Sequence, residues 1–343
     1  MKKSTHINAV YSEKAHGKEI KMSSRTTKTG AGKLWRAIRV VVTIALISYL
    51  LYRADLILLG SYLANVTLLP FLGALLLLCL RNAAVAVRWN LVIVAMDRVC
   101  AVARLVRYTF IGIFFNLLYP TALGGDVVRG FFLHRHGASR YVAVGSVFLD
   151  RFLGVSAMGC MAVFFLLLAG DIVGDRVARL SIQALPFVCL AVALLLFWKR
   201  DEAPAADDGR SLIKRLMRTR ALLASQFAAN KRRFTCAFLL SFAIQLISIG
   251  GIFLAARSLG CREPFTSFAV FLPLVSLLSM LPVSIGGFGV REGAFVYFFS
   301  FVGMSREMAL GICLVWVVLI MAQGLIGGLL FLLEGTKVRE IRS

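Results

Sequence analysis

From Leu68 to Ala86 the chain is almost wholly apolar, and comparable runs return at 141–169, 181–198, 234–256 and 308–333. At about 1.5 Å per helical residue such runs approach or exceed the ~30 Å of a hydrocarbon layer. No water satisfies a free backbone group there, so a run of this kind must close its hydrogen bonds within itself as a helix. The expected fold class is therefore an all-α polytopic membrane protein. Composition agrees. Of 343 residues 59% are hydrophobic and 16% charged, and the mean hydropathy is +0.82, more apolar surface than a soluble domain of this size can hide. The polar stretches, 1–33 and 199–233, are too short for a soluble catalytic domain.

The net charge of +22 sits in segments. Up to Arg39 there are ten Lys/Arg against Glu13 and Glu19, and 199–233 holds ten against four acids. Arg88, Arg98, Arg104 and Arg107 mark another basic connector, and Lys337, Arg339 and Arg342 a basic tail. Basic segments stay on the cytoplasmic side of a bilayer, facing anionic lipid. This distribution argues against nucleic-acid binding. The expected organisation is a disordered cytoplasmic tail (1–36), a transmembrane domain (37–333) and a short cytoplasmic tail (334–343). Seven scattered cysteines, most of them inside apolar runs, read as small buried hydrophobes, with neither a disulfide framework nor a metal site.

One motif occurs twice. Pro120-Thr-Ala-Leu-Gly124-Gly125-Asp126-Val-Val-Arg129 is matched by Pro282-Val-Ser-Ile-Gly286-Gly287-Phe-Gly-Val-Arg291. A second block follows each: Gly137-Ala-Ser139-Arg140 leads to Ala143 and Gly145, and Gly303-Met-Ser305-Arg306 leads to Ala309 and Gly311. Two ordered blocks matching at the same offsets point to an internal duplication, with repeat one at about 67–169 and repeat two at about 234–333. Expected spans are 37–52, 68–86, 141–169, 181–198, 234–256 and 308–333. The basic loops can all be cytoplasmic only if each Gly-Gly element crosses an even number of times, as a re-entrant hairpin or as two thin spans. About six full spans plus two such hairpins follow, some eight apolar segments or more, with the repeats inverted in the membrane. Inverted repeats with broken helices are a transporter architecture, with the substrate site at mid-membrane.

The candidate site residues come from these motifs. Helices starting after Gly125 and after Gly287 would present N-termini that favour an anion. Gly124, Gly125, Gly286 and Gly287 would let an anionic headgroup approach, with Pro120 and Pro282 as the helix breaks. Arg129 and Arg291 would add planar forks for phosphate, and Arg151 a third cation. The plainer reading makes the glycines packing kinks and the arginines snorkelling side chains. Asp126, Asp150 and Glu292 are charge partners for those arginines, or groups that bind a coupling proton or cation. Asp126 and Arg129, three apart, can meet on one helix face. Arg81 and Arg88 share a face of the second span. Arg81 could line a cavity, while Arg88 reads as a boundary residue that snorkels. His134 and His136 read as part of a basic interfacial loop. No cofactor is expected.

At these motifs the chain resembles the multispanning proteins named after the transmembrane region of lysylphosphatidylglycerol synthases. The likeness is carried by Pro120, Gly124, Gly125, Asp126 and Arg129. It extends to Asp150, Arg151 and Gly154, with Asp150 standing where the family has Glu. The third segment is Leu281, Pro282, Ser284, Gly286, Gly287, Gly289, Arg291 and Glu292. In the synthases this region is regarded as the flippase for aminoacylated phosphatidylglycerol, and some stand-alone relatives are associated with hopanoid or glycolipid pathways. The resemblance thus implies lipid handling without naming the lipid. The expected function is transport of an anionic phospholipid or isoprenoid-type lipid between the leaflets of the plasma membrane. The alternatives are an accessory scaffold that docks lipid-biosynthesis enzymes on the 199–233 loop, or a lipid-modifying transferase, for which no catalytic constellation is visible. The partners implied are membrane lipids.

The charge asymmetry makes a direct topology prediction. In a cysteine-free background, a cysteine at Ser211 should be labelled only from the cytoplasmic side and one at Gly174 only from outside. Labelling of Ser211→Cys from outside would overturn the orientation.

Overall fold

The computed structural model of the chain describes residues 30–96, 99–118, 124–168, 229–280 and 283–340. The N-terminal stretch 1–29, the expected span at 181–198, most of the basic insertion, Pro120 and Pro282 lie outside the described residues. Arg39–Ser343 forms one compact unit, and Met1–Ile38 a separate one. The described residues form ten α-helices and no strand. They are α1 (Gly30–Tyr52), α2 (Leu56–Ala64), α3 (Leu68–Ala95), α4 (Val102–Leu118), α5 (Gly124–Arg135), α6 (Arg140–Leu168), α7 (Lys231–Ser258), α8 (Phe265–Ser279), α9 (Val290–Ser300) and α10 (Arg306–Glu340), with a 3-10 turn at Ile285–Gly287.

Four of these, α3, α6, α7 and α10, are long and apolar enough to cross a membrane. A fifth crossing is made if Val40–Tyr52 and Leu56–Ala64 count together, although the two are bent by 89°. The bend has a local cause. Arg53 and Asp55 interrupt the apolar run, and the Asp55 carboxylate accepts from the N–H groups of Ile57 (2.9 Å) and Leu58 (3.1 Å), capping a new helix. The chain is a multi-pass membrane protein, with four to five crossings among the described residues. Helix α3 leaves Leu69, Leu72, Leu76, Leu80 and Val87 exposed at helical spacing, and α10 does the same with Leu314, Val318, Met321, Leu325 and Leu329. Such stripes suit contact with lipid.

Helices α3 and α7 run antiparallel in the most extensive helix pairing of the molecule. Thr67 donates its N–H to the Ser258 carbonyl (2.8 Å) at one end, and Asn230 donates its side-chain amide to the Ala95 carbonyl (3.0 Å) at the other. Between them Gly251 lies against Ala74 and Leu78, where an added Cβ would stand 2.8 Å from a Leu78 methyl. Small residues permit this approach, which in lipid must rest on packing because apolar burial gives no net drive. The same register brings Arg81 level with Ile244, at mid-length in both 28-residue helices.

Two further large pairings cross between the two halves of the chain. Helix α4 packs on α10, and α8 packs on α6. Helix α4 also carries α5 back against itself, and α8 does so with α9. Taken alone, α4 is 17 residues and α5 is 12, roughly 26 and 18 Å, both short of a bilayer core.

Among the described residues the apolar interior has two large cores and a small third one of Leu50, Leu59 and Leu310. One core gathers Leu78, Met161, Ile249, Phe271, Phe299 and Leu319; the other gathers Ala86, Leu105, Phe132, Leu153, Phe234 and Ala237. Each of α3, α6 and α7 contributes to both. The residues that bridge the gap are Arg81 and Asn82 on α3, Gly154 and Met158 on α6, and Ser241, Gln245 and Ser248 on α7. On α10 the buried Gln323 follows Leu319 of the first core and precedes Leu330 and Phe331, which pack against the second. A layer that is polar in sequence thus separates two apolar blocks.

Gly327 provides a test of the α4–α10 contact. A Cβ there would drive into the backbone carbonyl of Phe110, whereas one at Gly60 would meet nothing within 4 Å. Gly327→Ala should therefore destabilise the protein by about 1–3 kcal/mol or more, and Gly60→Ala should be near neutral. Thermal unfolding in detergent, monitored on both variants, compares them directly.

Candidate functional site

The polar layer encloses a cavity of ≈ 310 Å³. Six charged side chains line it: Arg81 and Arg88 from α3, Asp126 and Arg129 from α5, and Asp150 and Arg151 from α6. Arg88, Arg129, Asp126 and Asp150 are all buried, with Asp150 only 1% exposed. A charge at such a site is tolerated only when paired and hydrogen-bonded.

Five of the six form a row of alternating sign. Asp150 accepts from Arg88 Nε at 2.8 Å through one oxygen and from an Arg129 terminal nitrogen at 3.1 Å through the other. Asp126 accepts from the second Arg129 terminal nitrogen at 3.4 Å and from Arg151 Nε at 2.6 Å. The three-residue spacing of Asp126 and Arg129 delivers the contact expected of one helix face. Arg88 also donates to the Ser241 hydroxyl at 3.1 Å. Arg129 lies over the Trp89 ring at 4.2 Å, and the indole of Trp89 is fixed in turn by a 3.1 Å bond to Ser146. One donor stays over: Arg129 Nε is buried and has no hydrogen-bond partner.

Arg81 stands apart from the row. It donates through Nε (3.1 Å) and a terminal nitrogen (2.5 Å) to the neutral Asn82 carbonyl oxygen, and among the described residues no carboxylate pairs with it. Asn82 is held by Gln323 at 2.6 Å, and Gln323 donates to the Leu319 carbonyl at 2.8 Å. Four arginines thus face two aspartates, and the lining keeps a surplus of two positive charges. The rest of the wall includes Val85, Ile113, Val155, Met158 and Ile244. Cationic and apolar side chains share the lining.

The motif glycines have separate roles. In the first copy Gly124 and Gly125 are the first residues of α5, so the helix begins at the pair instead of after it. Gly125 lies against Gly112 of α4, so closely that a Cβ would overlap the Gly112 carbonyl, and its N–H donates to Asn116 Oδ1 at 2.6 Å. Gly154 belongs to the same design. A Cβ there would stand 2.9 Å from an Arg88 terminal nitrogen, so one turn after Asp150 the α6 backbone makes room for the guanidinium that Asp150 holds. In the second copy Gly286 and Gly287 precede α9 in a left-handed bend, with φ of 61° and 79°.

The second arginine occupies other surroundings. Arg291 pairs with Glu292 (2.5 Å) and sits between the rings of Phe288 (5.2 Å) and Trp316 (5.1 Å). Glu292 also accepts the Gly289 N–H at 2.6 Å, so this helix start carries its own anion. Trp316 lines the cavity, as do Ser276 and Met280, but Arg291 is not among the lining residues. Arg129 and Arg151 are thus brought together with Asp126 and Asp150, and Arg291 with Glu292 one aromatic ring away.

One reading is corrected. Arg88 does not snorkel from a boundary; it is 5% exposed and bound on two sides. Its partners come from α6 and α7, distant in sequence, which is why position along α3 alone misplaced it. Asn82, Asn116, Ser241 and Gln323 are site residues that the motifs do not contain. A polar residue inside an apolar span was the available signal, since such residues need an internal partner. His134 donates from Nδ1 to the Ala138 carbonyl (2.8 Å), and His136 meets the Tyr108 hydroxyl (2.7 Å), both away from the cavity lining.

Comparison with known proteins adds a family. The model described as "Lysylphosphatidylglycerol synthase TM region" matches residues 36–328. A protein described as "UPF0104 membrane protein" from Methanothermobacter thermautotrophicus is 20% identical over 246 residues, covering 64% of this chain and 70% of its own.

The ion-pair row predicts strong coupling between distant positions. Asp150→Asn should destabilise the protein by about 3–5 kcal/mol, because it strands two buried guanidiniums. Adding Arg88→Met should recover part of the loss. A double-mutant cycle on unfolding free energy checks this, and independent additive effects would contradict the pairing.

Proposed function

The chain belongs to the lysylphosphatidylglycerol synthase TM region family, and from that premise we propose that it moves an anionic lipid between membrane leaflets. The observation that carries the reading is the cavity. Arg81, which no carboxylate pairs among the described residues, stands level with Ile244 at mid-length of α3 and α7, and apolar side chains share the lining with the charged ones. An anionic headgroup crossing hydrocarbon alone is very costly to place. Here Arg81, Arg129 and Arg151 would replace the water it leaves, while the acyl or isoprenoid tails stay in lipid. No bond is made or broken in this reading, so it is transport and not enzymatic catalysis.

The two halves of the chain support a rocking mechanism. Helices α3 and α7 have the same length, and the pairs α4/α8, α5/α9 and α6/α10 follow in the same order, each lagging its counterpart by 163 to 166 residues. The α4–α10 and α6–α8 packings exchange under that correspondence. These relations favour an inverted repeat in which α4–α5 and α8–α9 are re-entrant hairpins. Two near-equivalent packings would then open the cavity to either leaflet. Asp126 and Asp150 are the acids placed to couple such a motion to a proton or cation. The plasma membrane, with both termini and the 199–233 segment cytoplasmic, is the setting that fits the basic loops.

Proteoliposomes give the test. Wild-type protein should exchange a labelled anionic lipid between leaflets, and Arg129→Ala/Arg291→Ala should slow exchange about tenfold or more. Arg129→Lys should restore only part of the rate, since Lys keeps the charge but lacks the planar fork. Equal exchange by wild type and the double variant across a panel of anionic lipids would reject the mechanism. It would favour an accessory role in lipid synthesis, with the basic 199–233 segment as the docking surface for biosynthetic enzymes.

A further inference from the structure

We propose that the cavity is built for a lipid phosphate monoester, a dianion, in preference to a phosphodiester headgroup with one charge. This deepens the reading of the cavity as a headgroup site and rests on it. The argument is charge stoichiometry. Among the described residues Arg81, Arg88, Arg129 and Arg151 line the cavity against Asp126 and Asp150, so two cationic charges there lack an internal counter-charge. Buried charge without a partner is strongly unfavourable, and a ligand that completes the balance gains the most. A phosphodiester leaves one charge unanswered. A monoester above its second pKa of about 6 answers both, and it presents three terminal oxygens to guanidinium donors.

The free donors lie where this chemistry needs them. Arg88 is spent on Asp150 and Ser241. Arg129 has an unpartnered Nε although the residue is only 5% exposed. Among the described residues Arg81 is engaged only by the neutral Asn82, and Arg151, which also lines the cavity, bonds Asp126 through Nε. The apolar lining residues, Val85, Ile113 and Val155 among them, suit the first carbons of an ester chain and have little to offer a glycerol or sugar beyond the phosphate.

The test is binding by the purified full chain in nanodiscs. The probes are dioctanoyl phosphatidate, farnesyl monophosphate, dioctanoyl phosphatidylglycerol and inorganic phosphate, each at pH 8 and pH 5.5. At pH 8 at least one lipid monoester should bind about tenfold tighter than phosphatidylglycerol, the worth of about one further charged hydrogen bond. The advantage should fall to about threefold at pH 5.5, where about three quarters of the free monoester carries one charge, while phosphatidylglycerol binding stays level. Which lipid monoester is preferred separates a glycerolipid from an isoprenoid source. Inorganic phosphate binding as tightly as either would overturn the lipid assignment. Arg81→Gln should bring the monoester-to-diester ratio close to unity; an unchanged ratio counts against the proposal. The pH series uses wild-type protein and stands even if that variant fails to fold. Equal affinity for monoester and diester at pH 8, with leaflet exchange of phosphatidylglycerol intact, would sink the monoester inference alone. Absence of both binding and exchange for every anionic lipid would sink the headgroup reading itself.

Discussion

Asp150 is the interaction on which the interior depends. It lies in α6, almost fully buried, and holds Arg88 of α3 with one oxygen and Arg129 of α5 with the other. Without it two guanidinium charges would lie buried and uncompensated, and without them so would the carboxylate. The demand for pairing therefore fixes three helices relative to one another more strictly than apolar contact does, because in lipid an apolar surface is nearly as content facing tails as facing protein. Close backbone approaches follow from it. Gly154 yields space to the Arg88 guanidinium, and Gly112 meets Gly125 so that α5 can bring Asp126 and Arg129 to the row.

Much of the helical layout was legible in the sequence because hydrocarbon leaves few options. The expected run at 141–169 is α6 (Arg140–Leu168), and the expected run at 234–256 lies within α7 (Lys231–Ser258). The run at 68–86 was read short, since Arg88 was taken for the end of a span that continues to Ala95. Reading a charge as a boundary is sound only for a charge without a partner, and the partner of Arg88 lies 62 residues on. Asp126 and Arg129 were legible as a pair because their spacing is local. The Asn82–Gln323 contact spans 241 residues and left only the trace of two amides in apolar runs.

The two glycine motifs show why a repeated sequence need not mean a repeated function for each residue. In the first copy the glycines sit within a helix and matter for what they lack, a side chain between α4 and α5. In the second they bend the backbone through the left-handed region, and the next helix starts three residues later, at Val290. The arginines diverge accordingly. Arg129 belongs to a shared network, while Arg291 is nearly self-contained with Glu292 and two aromatic rings. The two segments are similar in sequence, yet the charged cavity described above draws its ions from α3, α5 and α6.

The row Arg88–Asp150–Arg129–Asp126–Arg151 has an odd number of members, with a cation at both ends. Parity then governs what any movement of these helices can do. Exchanging partners along the row shifts the unmatched cation from one end toward the other, but no permutation removes it. The row behaves like a line of alternating tiles with one tile too many. Any exchange of partners among these helices keeps the vacancy for a negative charge, which merely changes address.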